Sequence, residues 1–277
     1  MPLSFTELRV LADLVKDEVL AKANTTLRVG TLAHEIINKI DECMTMCGLK
    51  KPPVLVFTES GEWTAPNGVN TIEVFAVGGG GAGANGSGYV DYGRNGGSGG
   101  QVVIRTLQIT PGNTYQITIG AGGPFVATPS SYLDGQSGKD TSFDGTVTAS
   151  GGLGGKTNGA TLSGVEQPVV EGSATGGSSG NSYGSPGREG QLCPFDLSEV
   201  HKLDLEGKMF GASGAAGNRA SGSFSGGETG GGDGAGGSPS ADAAQPGMFY
   251  GAGGGGGGKY LTPGGAGYQG ILIITYK

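Results

Sequence analysis

Charge, aromatic rings, cysteine and histidine are all scarce in this chain. Charged residues make up 15% of its 277 residues, aromatics 7% and hydrophobics 35%. So little charge excludes an acidic disordered tail or a coiled-coil rod as a description of the whole. Three cysteines, Cys43, Cys47 and Cys193, are too few and too far apart for a disulfide framework. Two histidines, His34 and His201, cannot supply the roughly three protein ligands of a catalytic zinc. No apolar run approaches the roughly 20 residues that span a membrane, so no membrane insertion is expected. The first residues are amphipathic and acidic, unlike an export signal. Residues 54–277 carry the whole net charge of −7, because cations and anions cancel in 1–51. A lysine-poor, acidic body is a poor match for nucleic acid.

Glycine is what the chain has instead. It supplies 61 residues, about 22% where roughly 7% is usual. Four of them precede residue 78 and the rest follow it. They keep no strict three-residue period, which excludes collagen.

Two domains are expected, an N-terminal helical segment over 1–50 and a glycine-rich β module over 51–277. In the first, Ser4 and Glu7 form a possible capping box, followed by a stripe of Leu8, Leu11 and Val15. A second stripe, Val29, Leu32, Ile36, Ile40 and Cys43, has heptad-like steps. Val29, Leu32, Ile36 and Ile40 are therefore the candidates for attachment or oligomerisation. A helical hairpin packed on its own chain is the alternative.

In the β module, alternating apolar residues predict strands over 54–58, 71–77, 101–109, 114–119, 141–148 and 271–276. Trp63 to Pro66 read as an interruption. Few strands and many turn residues predict a small antiparallel β-sandwich with long glycine-rich loops. Two readings of those loops stay open. One is flexible coil. The other is packed three-fold polyglycine helices, which only glycine's missing side chain permits. Residues 188–210 break the glycine pattern and read as an inserted compact element, a surface loop or a helical turn.

Motifs of nucleotide chemistry occur only in fragments. Gly78, Gly80 and Gly83 match a dinucleotide fingerprint, but no helix follows to bind a pyrophosphate. Gly253 to Lys259 resembles a phosphate loop but continues with Tyr260, where magnesium needs Ser or Thr. Gly155-Lys156-Thr157 lacks the first glycine of that loop. His34-Glu35 has no second histidine on its helix. No catalytic residue, metal or cofactor is therefore expected, and the chain is not read as an enzyme. What remains is a set of aromatics beside glycines: Tyr89, Tyr92, Tyr132, Tyr183, Phe249, Tyr250, Tyr260 and Tyr268. Of these, Tyr89, Tyr92, Tyr183 and Tyr250 are the receptor-binding candidates, since exposed rings stack on sugars and proteins at little entropic cost.

Residues Phe57-Thr58-Glu59-Ser60-Gly61-Glu62-Trp63-Thr64-Ala65-Pro66-Asn67-Gly68-Val69, with Ile72-Glu73-Val74 and the glycine run after them, resemble the glycine-rich modules of phage tail fibres and virion appendages. Residues 96–123 and 253–277 continue the resemblance. Residues 23–32, with Ile36-Ile37 and Asp41-Glu42, are similar to the N-termini of appendage proteins in phages of Bacteroides-like hosts. The resemblance implies an N-terminal segment that binds other virion proteins and a distal adhesive module, commonly a homotrimer. It implies a virion location after synthesis in the bacterial cytoplasm. The expected function is attachment to a host-surface glycan or an outer-membrane protein. A decoration or adaptor protein of the capsid or tail is the alternative, and a glycan-degrading enzyme a third. Residues 124–252 depart from both matches.

Overall fold

A computed structural model describes residues 53–86, 94–125, 133–157, 190–198, 200, 203–215, 231–232, 244–258 and 262–277. The chain divides into Met1–Pro53 and Val54–Lys277. The helical stripes expected over 4–47, with Val29, Leu32, Ile36 and Ile40, lie outside the described residues. Among the described residues there is no helix long and apolar enough to cross a membrane.

Among the described residues, ten strands form two four-stranded antiparallel sheets and a ribbon. They are β1 Val54–Phe57, β2 Gly61–Thr64, β3 Thr71–Val77, β4 Val102–Gln108, β5 Thr114–Thr118, β6 Thr141–Phe143, β7 Val147–Ala149, β8 Gln191–Leu192, β9 Met209–Phe210 and β10 Ile271–Tyr276. One sheet has the order β1-β10-β3-β4 and the other β2-β5-β6-β7. The first sheet is apolar on both faces, so β10 reads as a nearly continuous run, Ile-Leu-Ile-Ile. Its inner residues Ile72, Val74, Val103, Leu272 and Ile274 meet Trp63, Ile117, Phe143 and Val147 of the second sheet. That is the core of a sandwich. The outer residues Phe75, Val77, Ile271 and Ile273 are covered by Leu197, Leu205 and Phe210.

Two expectations change here, and a third gains detail. Residues 188–210, expected as an inserted compact element, are described over 190–198, 200 and 203–210. Where described, they form the ribbon β8–β9 and supply a third layer, because the apolar outer face of β3 and β10 needs a cover. Trp63, read as part of an interruption, lies in β2, which pairs with β5 and buries the indole. The single strand over 141–148 is a hairpin, β6 and β7, turned at Asp144 and Gly145 with φ of 46° and 64°. Two consecutive left-handed residues suit a tight hairpin turn, and Asp-Gly is a sequence that tolerates them.

At one end of the sandwich the chain runs on into extended glycine tracts. The tract 78–86 follows β3 directly. Gly78, Gly81 and Ala84 donate their N–H groups to the carbonyls of Gln101, Ser98 and Asn95. Gly79, Ala82 and Asn85 donate to Lys139, Gln136 and Leu133, and Gly80, Gly83 and Gly86 to Tyr268, Gly265 and Thr262. All nine N···O distances lie between 2.7 and 3.1 Å. Each third residue thus faces the same neighbour, as a helix of three residues per turn requires. The carbonyls point to three other tracts: Gly80 accepts from Gly123, Ala82 from Gly155 and Gly81 from Gly254. One tract is therefore bonded to six others.

The tract 251–258 is a second such centre. It donates to Gly81, Ala212, Ala215 and Gln245, and accepts from Gly97, Gly232, Gly265 and Tyr268. The two centres are neighbours and share the tracts 94–101 and 262–270. A hexagonal lattice then places the segments in three rows. The tracts 119–125, 262–270 and 244–248 make one outer row. Glycine is obligatory at six of the nine positions of 78–86, while Ala82, Ala84 and Asn85 keep buried side chains there. A Cβ at Gly78, Gly79, Gly80, Gly81, Gly83 or Gly86 would stand 1.8 to 2.2 Å from a neighbouring carbonyl oxygen.

Candidate functional site

The lattice has a base, where the strands feed it, and a far end, where the chain leaves it. The 78–86 tract runs outward, and the chain returns at Arg94. It leaves again at Phe125 to return at Leu133, and at Gly258 to return at Thr262. Tyr89 and Tyr92 fall between the first pair of exits. They and Tyr183 lie outside the described residues.

At the far end Asp134 ties several tracts. The Asp134 carboxylate accepts from Thr157 N–H at 2.8 Å, Thr157 Oγ1 at 2.9 Å and Lys156 Nζ at 3.0 Å. Arg94 Nη1 donates to the Thr157 carbonyl. Three tracts, beginning at Arg94, beginning at Leu133 and ending at Thr157, are joined there. Partial burial raises the Asp134 carboxyl, but the Thr157 and Lys156 donors outweigh it and hold the pKa below the usual value. Lys156 and Thr157, the close of a partial phosphate-loop motif, thus serve a structural link.

The other nucleotide-like glycines are also structural. Gly78, Gly80 and Gly83 lie in one central tract, and Gly253 to Gly258 in the other, with every position buried among backbone. Their spacing reflects close packing of chains, and among the described residues no helix follows them.

Tyr250 stands at the base. Its backbone carbonyl accepts from Gly211 N–H, and the next residue, Gly251, turns with φ of 74°. A line of rings reaches it from the interior. Phe75 contacts Phe210 at 5.1 Å, Phe210 contacts Phe249 at 5.1 Å and Phe249 contacts Tyr250 at 5.3 Å. Tyr250 then meets Tyr268 edge to face at 5.5 Å. Burial, and next the neighbouring Tyr268 hydroxyl, raise the Tyr250 pKa. Tyr250 is half-buried and wedged between rings, whereas Tyr268 is 38% exposed. Sequence reasoning grouped Tyr268 with the other loop aromatics but did not pair it with Tyr250. Only the return of the chain through 262–270 brings the two together, and no local signal announces that return.

A cavity of about 90 Å³ lies in the cover layer, lined by Leu192, Cys193, Phe195, Leu197 and Leu205, with Asp196, Glu206 and Lys208 around them. It is well below the few hundred Å³ of an ordinary ligand site. Burial pushes the Cys193 thiol up to about 12, so it is neutral and unreactive there. Among the described residues no group of His, Cys, Asp and Glu is placed to hold a metal.

No curated protein matches this chain. The family of the glycine-rich domain matches residues 57–277. That span holds β2 to β10, the cover and every described glycine tract, and the chain belongs to that glycine-rich domain family.

Proposed function

We propose that this protein is a virion appendage, a fibre or adhesin that attaches a phage to its bacterial host. The single observation that carries the reading is the polarity of the glycine-rich module. The chain enters it at Val54, at the end of β1 opposite Thr275 and remote from the lattice. The chain leaves its tracts at the opposite end, after Gly86, Phe125 and Gly258. A lattice closed by backbone bonds is a stiff spacer, and segments that join its tracts can vary in sequence at little cost in stability. Tyr89 and Tyr92 lie in sequence between two tract ends, Gly86 and Arg94, and are the first receptor candidates, with Tyr183.

In this reading residues 1–50 bind other virion proteins through Val29, Leu32, Ile36 and Ile40, and the appendage is a homotrimer. The target is a neutral host glycan or an outer-membrane protein loop, because the body lacks cation clusters. Single contacts of this kind are weak, and several copies together give firm adhesion. The reading is non-enzymatic.

Immunogold labelling of intact particles, together with adsorption assays, tests the proposal. The expected result is outward labelling and weaker adsorption from alanine at Tyr89, Tyr92 or Tyr183. A form starting at residue 52 should fold but fail to join particles. Labelling only after particle disruption, with adsorption unchanged, would favour an internal decoration or adaptor protein and defeat the adhesin reading.

A further inference from the structure

We infer that Asn67 is a site of spontaneous deamidation, and that the fold confines this chemistry to it among the three described Asn-Gly pairs. The sequence holds four such pairs, at 67–68, 85–86, 95–96 and 158–159, and the last lies outside the described residues. Glycine after asparagine leaves its main-chain nitrogen open to the side-chain amide, because no Cβ stands in the way. As dipeptides the pairs are equal. Their surroundings separate them.

Asn67 and Gly68 are exposed and form the centre of a turn between β2 and β3. Val69 N–H donates to the Pro66 carbonyl at 3.2 Å and Gly68 has φ of 86°, which makes the turn type II. Asn70 Nδ2 reaches the Gly68 carbonyl at 3.5 Å. Neither the Asn67 side chain nor the Gly68 N–H has a hydrogen-bond partner among the described residues. Nothing lies within 4 Å of a Cβ added at Gly68. The central peptide therefore has room to flip between the type II and type I arrangements, which carries the Gly68 nitrogen past the Asn67 amide. The other two pairs are held. Asn85 is buried and its Oδ1 accepts from Gly264 N–H at 3.1 Å. Gly86 N–H donates to the Thr262 carbonyl at 2.7 Å. Asn95 is wholly buried, and a Cβ at Gly96 would stand 2.5 Å from the Gly214 and Ala215 carbonyl oxygens. Both pairs lie inside the lattice, where turning one peptide disturbs the bonds of the tracts around it.

The step needs only water. Solvent base takes the Gly68 amide proton, and the nitrogen bonds to Asn67 Cγ. The Cγ–Nδ2 bond breaks and the side-chain nitrogen leaves as ammonia, with a proton from water. Water then opens the five-membered imide at one carbonyl or the other, giving aspartate or isoaspartate. Either product adds one negative charge, and isoaspartate also adds a methylene to the main chain inside the turn. β3 runs from this turn into the lattice, so the new charge falls at the end of the sandwich remote from the lattice, where Val54 enters. The inference does not need the virion reading, since it concerns the chemistry of the turn alone.

The test incubates the full chain at pH 8, in buffer and in guanidinium, and then cleaves it after glutamate. The peptide 63–73 carries Asn67 apart from Asn85 and Asn95. Mass spectrometry with electron-transfer fragmentation places each conversion and tells isoaspartate from aspartate. In buffer, Asn67 should convert at least about tenfold faster than Asn85 and Asn95, because those pairs open only with the lattice. In guanidinium the three rates should agree within about threefold, since the unfolded chain no longer separates them. Asn67→Gln should remove the conversion at 67 in buffer, with thermal melting showing that the variant stays folded. No conversion of Asn67 in buffer, or conversion of Asn85 or Asn95 at the same rate, overturns the inference. Rates that stay as far apart in guanidinium as in buffer overturn it too, and assign the selectivity to local sequence instead of the fold.

Discussion

The two halves of the described module solve the same problem with opposite materials. The sandwich excludes water with side chains: Phe75, Phe143, Ile117 and Leu272 are almost wholly buried. The lattice beside it has almost no side chains to bury. Its central tracts are buried all the same, and their polar groups are satisfied by main chain from six sides. The comparison teaches that burial and hydrophobicity are separable. A segment can be interior because its backbone is fully bonded, provided that little projects from it. The halves therefore differ in what breaks them. The sandwich fails when atoms are removed, and the lattice when atoms are added.

The largest expected effect follows from that contrast. Gly80→Val places a branched Cβ where the Ala252 carbonyl oxygen is 1.9 Å away. Backbone on every side cannot yield, so the cost should exceed the about 1–3 kcal/mol of ordinary overpacking. Denaturant unfolding should show loss of the cooperative transition or a large fall in its midpoint. Gly61→Val is the control, because nothing lies within 4 Å of its added Cβ and its φ is not left-handed. It should melt close to the parent protein. If both variants behave alike, the distinction between lattice glycines and ordinary glycines is wrong.

Phe75→Ala is the matching deletion in the sandwich. Phe75 has no exposed surface and contacts Phe195 and Phe210. A loss of about 3–5 kcal/mol is expected from equilibrium unfolding. The reverse experiment sharpens the point, since Ala82 and Ala84 have little side chain to lose, and Ala84→Gly should cost at most about 1 kcal/mol.

How much of this was legible beforehand differs between the halves in the same way. Apolar alternation marked β3, β4, β5 and β10, because burial of one or both faces leaves a trace in side chains. β2 left a weaker trace, as Gly61 and Glu62 dilute the signal around Trp63. The cover 190–210 read as compact because of its Leu and Phe, but its position on the outer face of β3 and β10 has no local code. The composition of the tracts allowed a packed state. Their neighbours could not be read, since one run of glycine resembles another and the register is set by where each strand ends. Tyr250 was picked out as an aromatic among glycines, and its partner Tyr268 depends on that unreadable return. Tyr89, Tyr92 and Tyr183 fall outside the described residues.

A smaller effect concerns the half-buried Cys193 thiol. With its thiol pushed up to about 12, Cys193 should resist alkylation by iodoacetamide at pH 8 in the native protein and react after unfolding. Peptide mapping measures this site by itself. Fast native modification would show that the cover layer opens readily.

The smallest expected effect is at the tie at the far end. The Asp134 pKa is lowered in the folded chain, so its contribution to stability is present above the unfolded value of about 3.9 and is lost as pH falls below it. Asp134→Asn should lower the melting temperature slightly at pH 7. The difference from the parent should shrink toward zero near pH 2. A difference that persists at low pH would mean that the carboxylate's charge is not what ties Thr157 and Lys156.

The central claim is that main-chain hydrogen bonds make the glycine tracts an ordered interior. Native-state amide hydrogen exchange tests it most directly. The amides of Gly81, Ala82, Gly83 and Gly254 should exchange as slowly as those of Val74 and Ile273 in the sandwich, opening only with global unfolding. Rapid exchange across these tracts, with the sandwich still protected, would show a flexible coil and contradict the account.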